Sequence, residues 1–159
     1  ERYDFGLENS RLEVKTCSPV GKKHTFSLAQ VYPNESSNVV LASVCLDEVP
    51  VGLSLRELWS KVRKELSTEE LKLKLDTNVA KYLGEDFSVH LDQVSFDEEL
   101  ARNELKFFDI KSIPKPPNYD ELDDRITSLK FQIDLEGVEE LNRQEFSESS
   151  ELFKVILNA

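Results

Sequence analysis

The stretch from Asn38 to Leu46 is a nearly continuous run of apolar residues, and it constrains the fold more than any other segment. A strand with one face in solvent alternates between apolar and polar residues, whereas a strand covered on both faces is apolar throughout. The run therefore predicts a central strand inside a layered protein.

Two shorter segments near the start of the sequence, residues 3–7 and 11–16, predict a pair of strands. The turn between them falls at residues 8–10. Gly6 and Asn9 suit the turn or bulge geometry that such a connection requires. These segments predict a hairpin before the central strand.

The rest of the chain predicts alternating helices and strands, without an internal repeat or a low-complexity linker. Helices are predicted to begin at Ser54 with Glu57 and at Ser67 with Glu70. In a Ser-x-x-Glu capping box the two side chains accept hydrogen bonds from free backbone amides at the helix N-terminus. The other predicted elements are a strand or short helix at 24–31, strands at 87–96, 105–113 and 126–135, an acidic connection at 97–104, and a terminal helix at 147–157. The predicted architecture is a single α/β domain over residues 1–159, with a mixed sheet flanked by helices.

Charge is distributed unevenly along this chain, whose net charge is −11. Residues 1–66 contain nine Lys or Arg and nine Asp or Glu, whereas residues 67–159 contain 11 and 22. A net negative charge disfavours binding to nucleic acid, but the whole acidic excess lies outside the first segment. We call residues 1–66 the motif core and residues 67–159 the acidic half, which mixes predicted strands and helices.

The sequence contains no sign of a membrane span or an export signal. No apolar run approaches the roughly 20 residues that cross a bilayer, and the opening ERYDFGLENS has neither a basic nor an apolar signal region. Two cysteines, Cys17 and Cys45, make neither a disulfide framework nor a CxxC metal motif. These features predict a cytoplasmic protein with no membrane partner.

Asp4, Glu13 and Lys15 are the residues whose spacing suggests chemistry. Glu13 and Lys15 share one face of the second predicted strand, about 6.6 Å apart along it, and Asp4 lies across the turn. Two carboxylates can hold Mg²⁺ or Mn²⁺, which polarises a phosphodiester and lowers the pKa of a bound water. A neighbouring lysine can orient that water or stabilise charge in the transition state. The same pair could also be a simple salt bridge, because Glu-x-Lys occurs often by chance.

Three stretches together resemble a known family: Tyr3-Asp4-Phe5, Leu12-Glu13-Val14-Lys15-Thr16 and the polar segment His24–Gln30. They are similar to the C-terminal portion of the prokaryotic PD-(D/E)xK motif proteins, a former domain of unknown function in the restriction-endonuclease-like superfamily. The resemblance implies that superfamily's fold and Mg²⁺-dependent endonuclease cleavage of DNA. It also implies a restriction or phage-defence context, in which other proteins are partners.

Carried over residue by residue, the resemblance makes Asp4 and Glu13 metal ligands and Lys15 the catalytic lysine. It places Ser27 and Gln30 where such proteins often carry a polar residue near the site, and we include Gln30 among the candidate catalytic residues. Two features depart from the family pattern. Tyr3 stands where the signature has proline, and the sequence before Asp4 lacks the upstream helix with a further acidic residue. We therefore expect another part of the protein to supply that helix, or this portion not to act as an autonomous enzyme.

Lys22, Lys23 and His24 form the cation cluster nearest the predicted site. They are candidates for phosphate contacts, and the alternative is a solvated loop. Two alternatives for the whole chain also stay open. One is a non-catalytic interaction domain that retains the nuclease fold and binds a partner protein through the acidic half. The other is an unrelated α/β domain with a chance Glu-x-Lys.

Overall fold

A computed structural model describes residues 2–34, 36–84, 87–116, 123, 125–126 and 128–157. The chain divides into two compact units: Glu1–Cys45 with Asn103–Ala159, and Leu46–Arg102. We call the first the sheet unit and the second the helical unit. Residues 1–45 of the predicted motif core lie in the sheet unit, and residues 46–66 lie in the helical unit.

The described residues form eight strands and seven helices. In chain order they are β1 (Phe5–Leu7), β2 (Ser10–Cys17), β3 (Lys23–Ser27), α1 (Leu28–Val31), β4 (Asn38–Cys45), β5 (Glu48–Ser54), α2 (Leu55–Glu65), α3 (Glu69–Leu83), α4 (Phe87–Gln93), β6 (Ser95–Phe96), α5 (Glu98–Asn103), β7 (Lys106–Asp109), β8 (Lys130–Asp134), α6 (Arg143–Ser147) and α7 (Glu151–Leu157). Within this part of the chain, no helix combines the length and the apolar character needed to cross a membrane.

Four strands of the sheet unit form a mixed sheet in the order β1-β2-β4-β7. β2 runs antiparallel to β1 and parallel to β4, and β4 runs antiparallel to β7. β3 and β8 form a separate antiparallel ribbon. This α/β arrangement of a mixed sheet with helices confirms the predicted fold class and is consistent with a restriction-endonuclease-like fold.

β4 is the central strand that its apolar sequence predicts. Val39 and Leu41 enter one core cluster with Phe26 of β3. Val40 and Ala42 enter a second cluster, to which α7 contributes a phenylalanine. Because successive side chains of a strand point to opposite faces, the β3–β8 ribbon covers one face of β4 and α7 covers the other.

The helical unit pairs β5 with β6 and packs α4 against α2 and α3. Ser54 caps the start of α2, and its hydroxyl accepts a hydrogen bond from the Glu57 amide, as the capping pattern predicts. Trp59 of α2 is half-buried, and its Nε1 donates to Asp76 Oδ1 at 2.8 Å. The apolar stripes of α2 and α3 line an open cavity of about 300 Å³. The two helices therefore leave this cavity between their apolar faces instead of closing over it.

Several predicted elements of the helical unit are wrong. Residues 87–96 form α4 and the short β6 in place of one strand, since a short apolar segment cannot distinguish a period of 2 from one of 3.6. α3 is capped by Thr68 rather than Ser67, because the Thr68 hydroxyl accepts from the Leu71 amide at 3.3 Å. The predicted acidic connection contains α5, where Asp97 accepts from the amide of residue 100 at 2.9 Å.

Three predicted elements of the sheet unit exist with different bounds. β7 and β8 are shorter than the predicted 105–113 and 126–135. The terminal helix is interrupted between α6 and α7, where the Ser150 hydroxyl accepts a hydrogen bond from the Phe153 amide at 3.2 Å. Residues 24–31, predicted as strand or short helix, contain both β3 and α1.

Candidate active site

The β1–β2 hairpin brings Asp4 beside Glu13. Phe5 pairs with Leu12, so continuing the antiparallel register by one residue sets Asp4 opposite Glu13. β1 begins at Phe5, and Asp4 Oδ2 accepts a hydrogen bond from the Val14 amide at 2.8 Å. The Asp4 carboxylate thus accepts the hydrogen bond of a β2 amide that has no backbone partner in β1. Asp4 is exposed, which leaves its carboxylate accessible from solvent.

Glu13 is a buried carboxylate, only 3% exposed, on a strand with neighbours on both sides. Its Oε1 lies 2.8 Å from the Lys15 ammonium and accepts a hydrogen bond from Gln30 Nε2. A buried charge is costly unless it is paired and hydrogen-bonded, and these two neighbours meet that requirement. Both contacts use Oε1.

Gln30 links Glu13 to Lys15 from α1. Its Oε1 accepts a hydrogen bond from the Ser27 amide at 3.0 Å and lies 3.5 Å from Lys15 Nζ. The Tyr3 hydroxyl donates to the Gln30 backbone carbonyl at 3.3 Å. The amide is therefore oriented by donors on its oxygen and by the Glu13 carboxylate on its nitrogen. The structure brings this predicted residue into direct contact with two others.

Lys15 is held between the Glu13 carboxylate and an aromatic ring. Its Nζ lies 5.5 Å from the centroid of Phe26, which is fully buried. A cation at that distance is attracted to the ring face. The lysine side chain is 21% exposed, so the ammonium is restrained in direction but still open to solvent. Phe26 is not among the site residues predicted from the sequence, and its one signal there is the alternation of His24 and Phe26 along β3.

Burial raises the pKa of Glu13 above its ordinary value, and the charge of nearby Asp4 acts in the same direction. Hydrogen bonds and charge from Lys15, together with the Gln30 hydrogen bond, oppose this effect without reversing it. Burial and the neighbouring Asp4 therefore disfavour the charged form of Glu13. A cation between the two carboxylates would favour that form.

The chemistry of the donor set decides which metal the residues fit. Among the described residues there is no group of three or more His, Cys, Asp or Glu side chains that could hold an ion. Zn²⁺ and Ca²⁺ sites use three or more protein ligands, whereas Mg²⁺ is often bound by one or two carboxylates with water and substrate phosphate. Asp4 and Glu13 fit the Mg²⁺ pattern.

His24, predicted as a phosphate contact, faces the protein interior. It is 2% exposed, and its ring nitrogens lie 3.1 Å from the Thr16 carbonyl and 2.9 Å from Ser43 Oγ. Since a carbonyl only accepts, Nδ1 carries the proton and the Ser43 hydroxyl donates to Nε2. The ring thus ties β3 to β2 and β4. Lys22 and Lys23 are exposed, and Lys22 lies 3.8 Å from Glu104.

The His24→Gln substitution should lower the free energy of unfolding by about 1–3 kcal/mol at pH 7.5, because it disturbs buried hydrogen bonds. Burial lowers the pKa of His24, and the charge of Lys15 acts in the same direction, while the Thr16 carbonyl and Asp134 oppose. The imidazole therefore binds a proton more readily in the unfolded state than in the folded state. The stability that neutral His24 contributes is complete above its unfolded pKa of about 6.5, and it is lost as pH falls towards the lower folded pKa.

Urea denaturation of wild type and His24→Gln at pH 7.5 and at pH 5 checks this expectation. The difference in unfolding free energy between the two proteins should shrink at the lower pH. A difference that stays constant or grows would show that His24 is not held in its neutral form.

A family model described as "Putative PD-(D/E)XK family member, (DUF4420)" matches residues 1–136, which include Asp4, Glu13, Lys15 and Gln30. Neither a curated protein nor a solved structure matches the chain.

Proposed function

Because this chain belongs to the DUF4420 family of PD-(D/E)XK proteins, we propose that it hydrolyses phosphodiester bonds in DNA with Mg²⁺ as cofactor. The observation that carries the proposal is the contact cluster of Glu13, Lys15 and Gln30 beside Asp4. The cluster joins a potential pair of metal ligands, a compact cation and an orienting amide on adjoining elements.

Each residue of the cluster has a distinct part in the proposed reaction. Asp4 and Glu13 would hold the metal, which polarises the phosphate and lowers the pKa of a bound water. Lys15 presents a positive charge where negative charge develops on the phosphate oxygens. Gln30 fixes the direction of the Glu13 carboxylate through its Nε2, and Phe26 limits the positions open to the lysine.

Binding of the polyanion needs cations outside the cluster. Lys22 and Lys23 are exposed on the chain segment that enters β3, and they are the proposed phosphate contacts. Such contacts fix the position of the nucleic acid without reading its sequence. We place the activity in a restriction or phage-defence setting, where protein partners would supply sequence or modification recognition.

A second candidate function is binding of a partner protein by a domain that has kept the nuclease fold without activity. The open cavity of the helical unit favours it, since apolar residues line it almost entirely. Exposed apolar surface of this kind often marks an interaction site. Cleavage assays separate the two functions.

The deciding experiment incubates the full-length protein with supercoiled plasmid DNA in the presence of Mg²⁺. We expect nicked or linear DNA with Mg²⁺, and loss of cleavage when EDTA removes the metal. Isothermal titration with Mg²⁺ in the absence of DNA gives a second readout. Absence of both cleavage and metal binding would favour the interaction domain.

A further inference from the structure

A cavity of about 440 Å³ lies in the sheet unit beside the candidate active site. It falls within the usual 300–1,000 Å³ range of small-molecule sites. Its lining is half polar and half apolar, and it includes Arg2, Ser27, Ala29, Tyr32, Asn34 and Leu129. The Leu28 amide donates to the Leu129 carbonyl at 3.3 Å, which ties the two sides of the cavity together.

The cavity and the candidate active site share two stretches of chain. Arg2 of the lining is two residues from Asp4, a separation of at most about 7 Å between backbone positions. Ser27 of the lining donates its amide proton to Gln30 Oε1. A group bound in the cavity is therefore a near neighbour of a group bound at Asp4 and Glu13.

The lining fits a flat ring with a polar edge. Leu28, Ala29 and Leu129 offer aliphatic surface, while Ser27 and Asn34 offer donors and acceptors. Nucleobases taken out of a stack are bound in this manner, between apolar or aromatic side chains and hydrogen-bonding groups.

The charge at the cavity also suits nucleic acid. Its described lining contains one cation and no carboxylate, although the net charge of the chain is −11. The Arg2 guanidinium donates to the carbonyls of Ala29 and Tyr32, and Lys115 Nζ lies 5.4 Å from the Tyr32 ring centroid. Two cations at the lining and its edge favour a ligand that carries phosphate.

We propose that this cavity receives a nucleobase of the substrate strand, next to the phosphodiester held at Asp4 and Glu13. The inference rests on the proposed nuclease function, and it adds a contact to the base itself. Unstacking one base costs a few kcal/mol, and least at a damaged, mismatched or single-stranded position. The cavity therefore favours cleavage beside such positions.

The test measures binding of deoxynucleoside monophosphates to the full-length protein by NMR titration in EDTA, with 2-deoxyribose 5-phosphate as the probe without a base. We expect amide shifts at Ala29 and Asn34 that are much larger with the nucleotides than with the sugar phosphate. Ala29→Phe, which fills the cavity, should weaken nucleotide binding at least 10-fold. Asn34→Ala removes one polar group and should weaken it about 5-fold, the scale of one hydrogen bond.

Val20→Phe is the matched control, because Val20 is 98% exposed and outside the cavity lining, and it should bind like wild type. Equal binding of the sugar phosphate, or unchanged binding in a folded Asn34→Ala protein, would overturn the inference. DNA cleavage without nucleotide binding would overturn it and leave the nuclease function standing. Nucleotide binding without cleavage would count against the nuclease function alone.

Discussion

We expect Glu13→Gln to reduce Mg²⁺-dependent DNA cleavage by at least about 1,000-fold, an effect of roughly 4 kcal/mol on the barrier. The substitution keeps the shape of the buried side chain and removes its negative charge. It thereby removes one of the two proposed metal ligands. Asp4→Ala should have a comparable effect, since it removes the other. Initial rates of plasmid nicking measure both losses, and circular dichroism checks that the proteins stay folded.

Glu8→Gln is the matched control, because Glu8 is an exposed carboxylate in the turn of the same hairpin. It should cleave like wild type. Wild-type activity in both Glu13→Gln and Asp4→Ala would remove the site assignment. A pH profile gives a further check. Because burial raises the pKa of Glu13, protons compete with the metal for this carboxylate at pH values above the ordinary glutamate pKa of about 4.5. The metal affinity of the wild-type protein should therefore decline as pH falls towards the raised pKa.

We expect Lys15→Arg and Lys15→Ala each to lower cleavage by at least about 100-fold, the scale of one preorganised charge stabiliser. Lys15 reaches Glu13 in a space limited by the Phe26 ring and by Gln30. A planar guanidinium does not fit where a compact ammonium does. A lysine that only neutralised Glu13 would be replaced well by arginine, which carries the same charge.

The comparison is made at saturating Mg²⁺, and metal affinity is measured separately by calorimetry. Both variants should still bind Mg²⁺, because the two carboxylates remain. Lys22→Ala serves as the control for loss of one lysine charge at the surface, and it should change DNA binding more than the cleavage rate. Normal cleavage by Lys15→Arg would leave Lys15 a purely electrostatic role.

The sequence predicted the central part of the sheet well, because hydrophobic pattern alone determines it. The apolar run at Asn38–Leu46 favours a covered strand, and β4 occupies Asn38–Cys45. The hairpin carrying Asp4 and Glu13 followed from alternation and turn residues, and it formed within one or two residues of the predicted bounds. Such local rules suffice where one period dominates.

Features that depend on contacts between distant residues could not be predicted from these local patterns. Residues 87–96 looked like a strand because their short apolar pattern fits both periods. In the structure Leu91 is buried on α4, which packs against α2 and α3. His24 looked like a surface cation because it follows two lysines. Its burial depends on Thr16 and on Ser43 of β4. The Gln30 contact with Glu13 likewise needed the three-dimensional path of β3 and α1.

The β3–β8 ribbon has a consequence for the order in which the protein can assemble. Its partners are more than 100 positions apart, from Lys23 with Asp134 to Ser27 with Lys130. Closing so long a loop costs conformational entropy and is slow, and the stabilising contacts form only when the two strands pair. Yet β3 leads directly into the helix that holds Gln30 against Glu13. During synthesis Asp4, Glu13 and Lys15 emerge more than 100 residues before β8, so the cluster gains its full order only after β8 has been made.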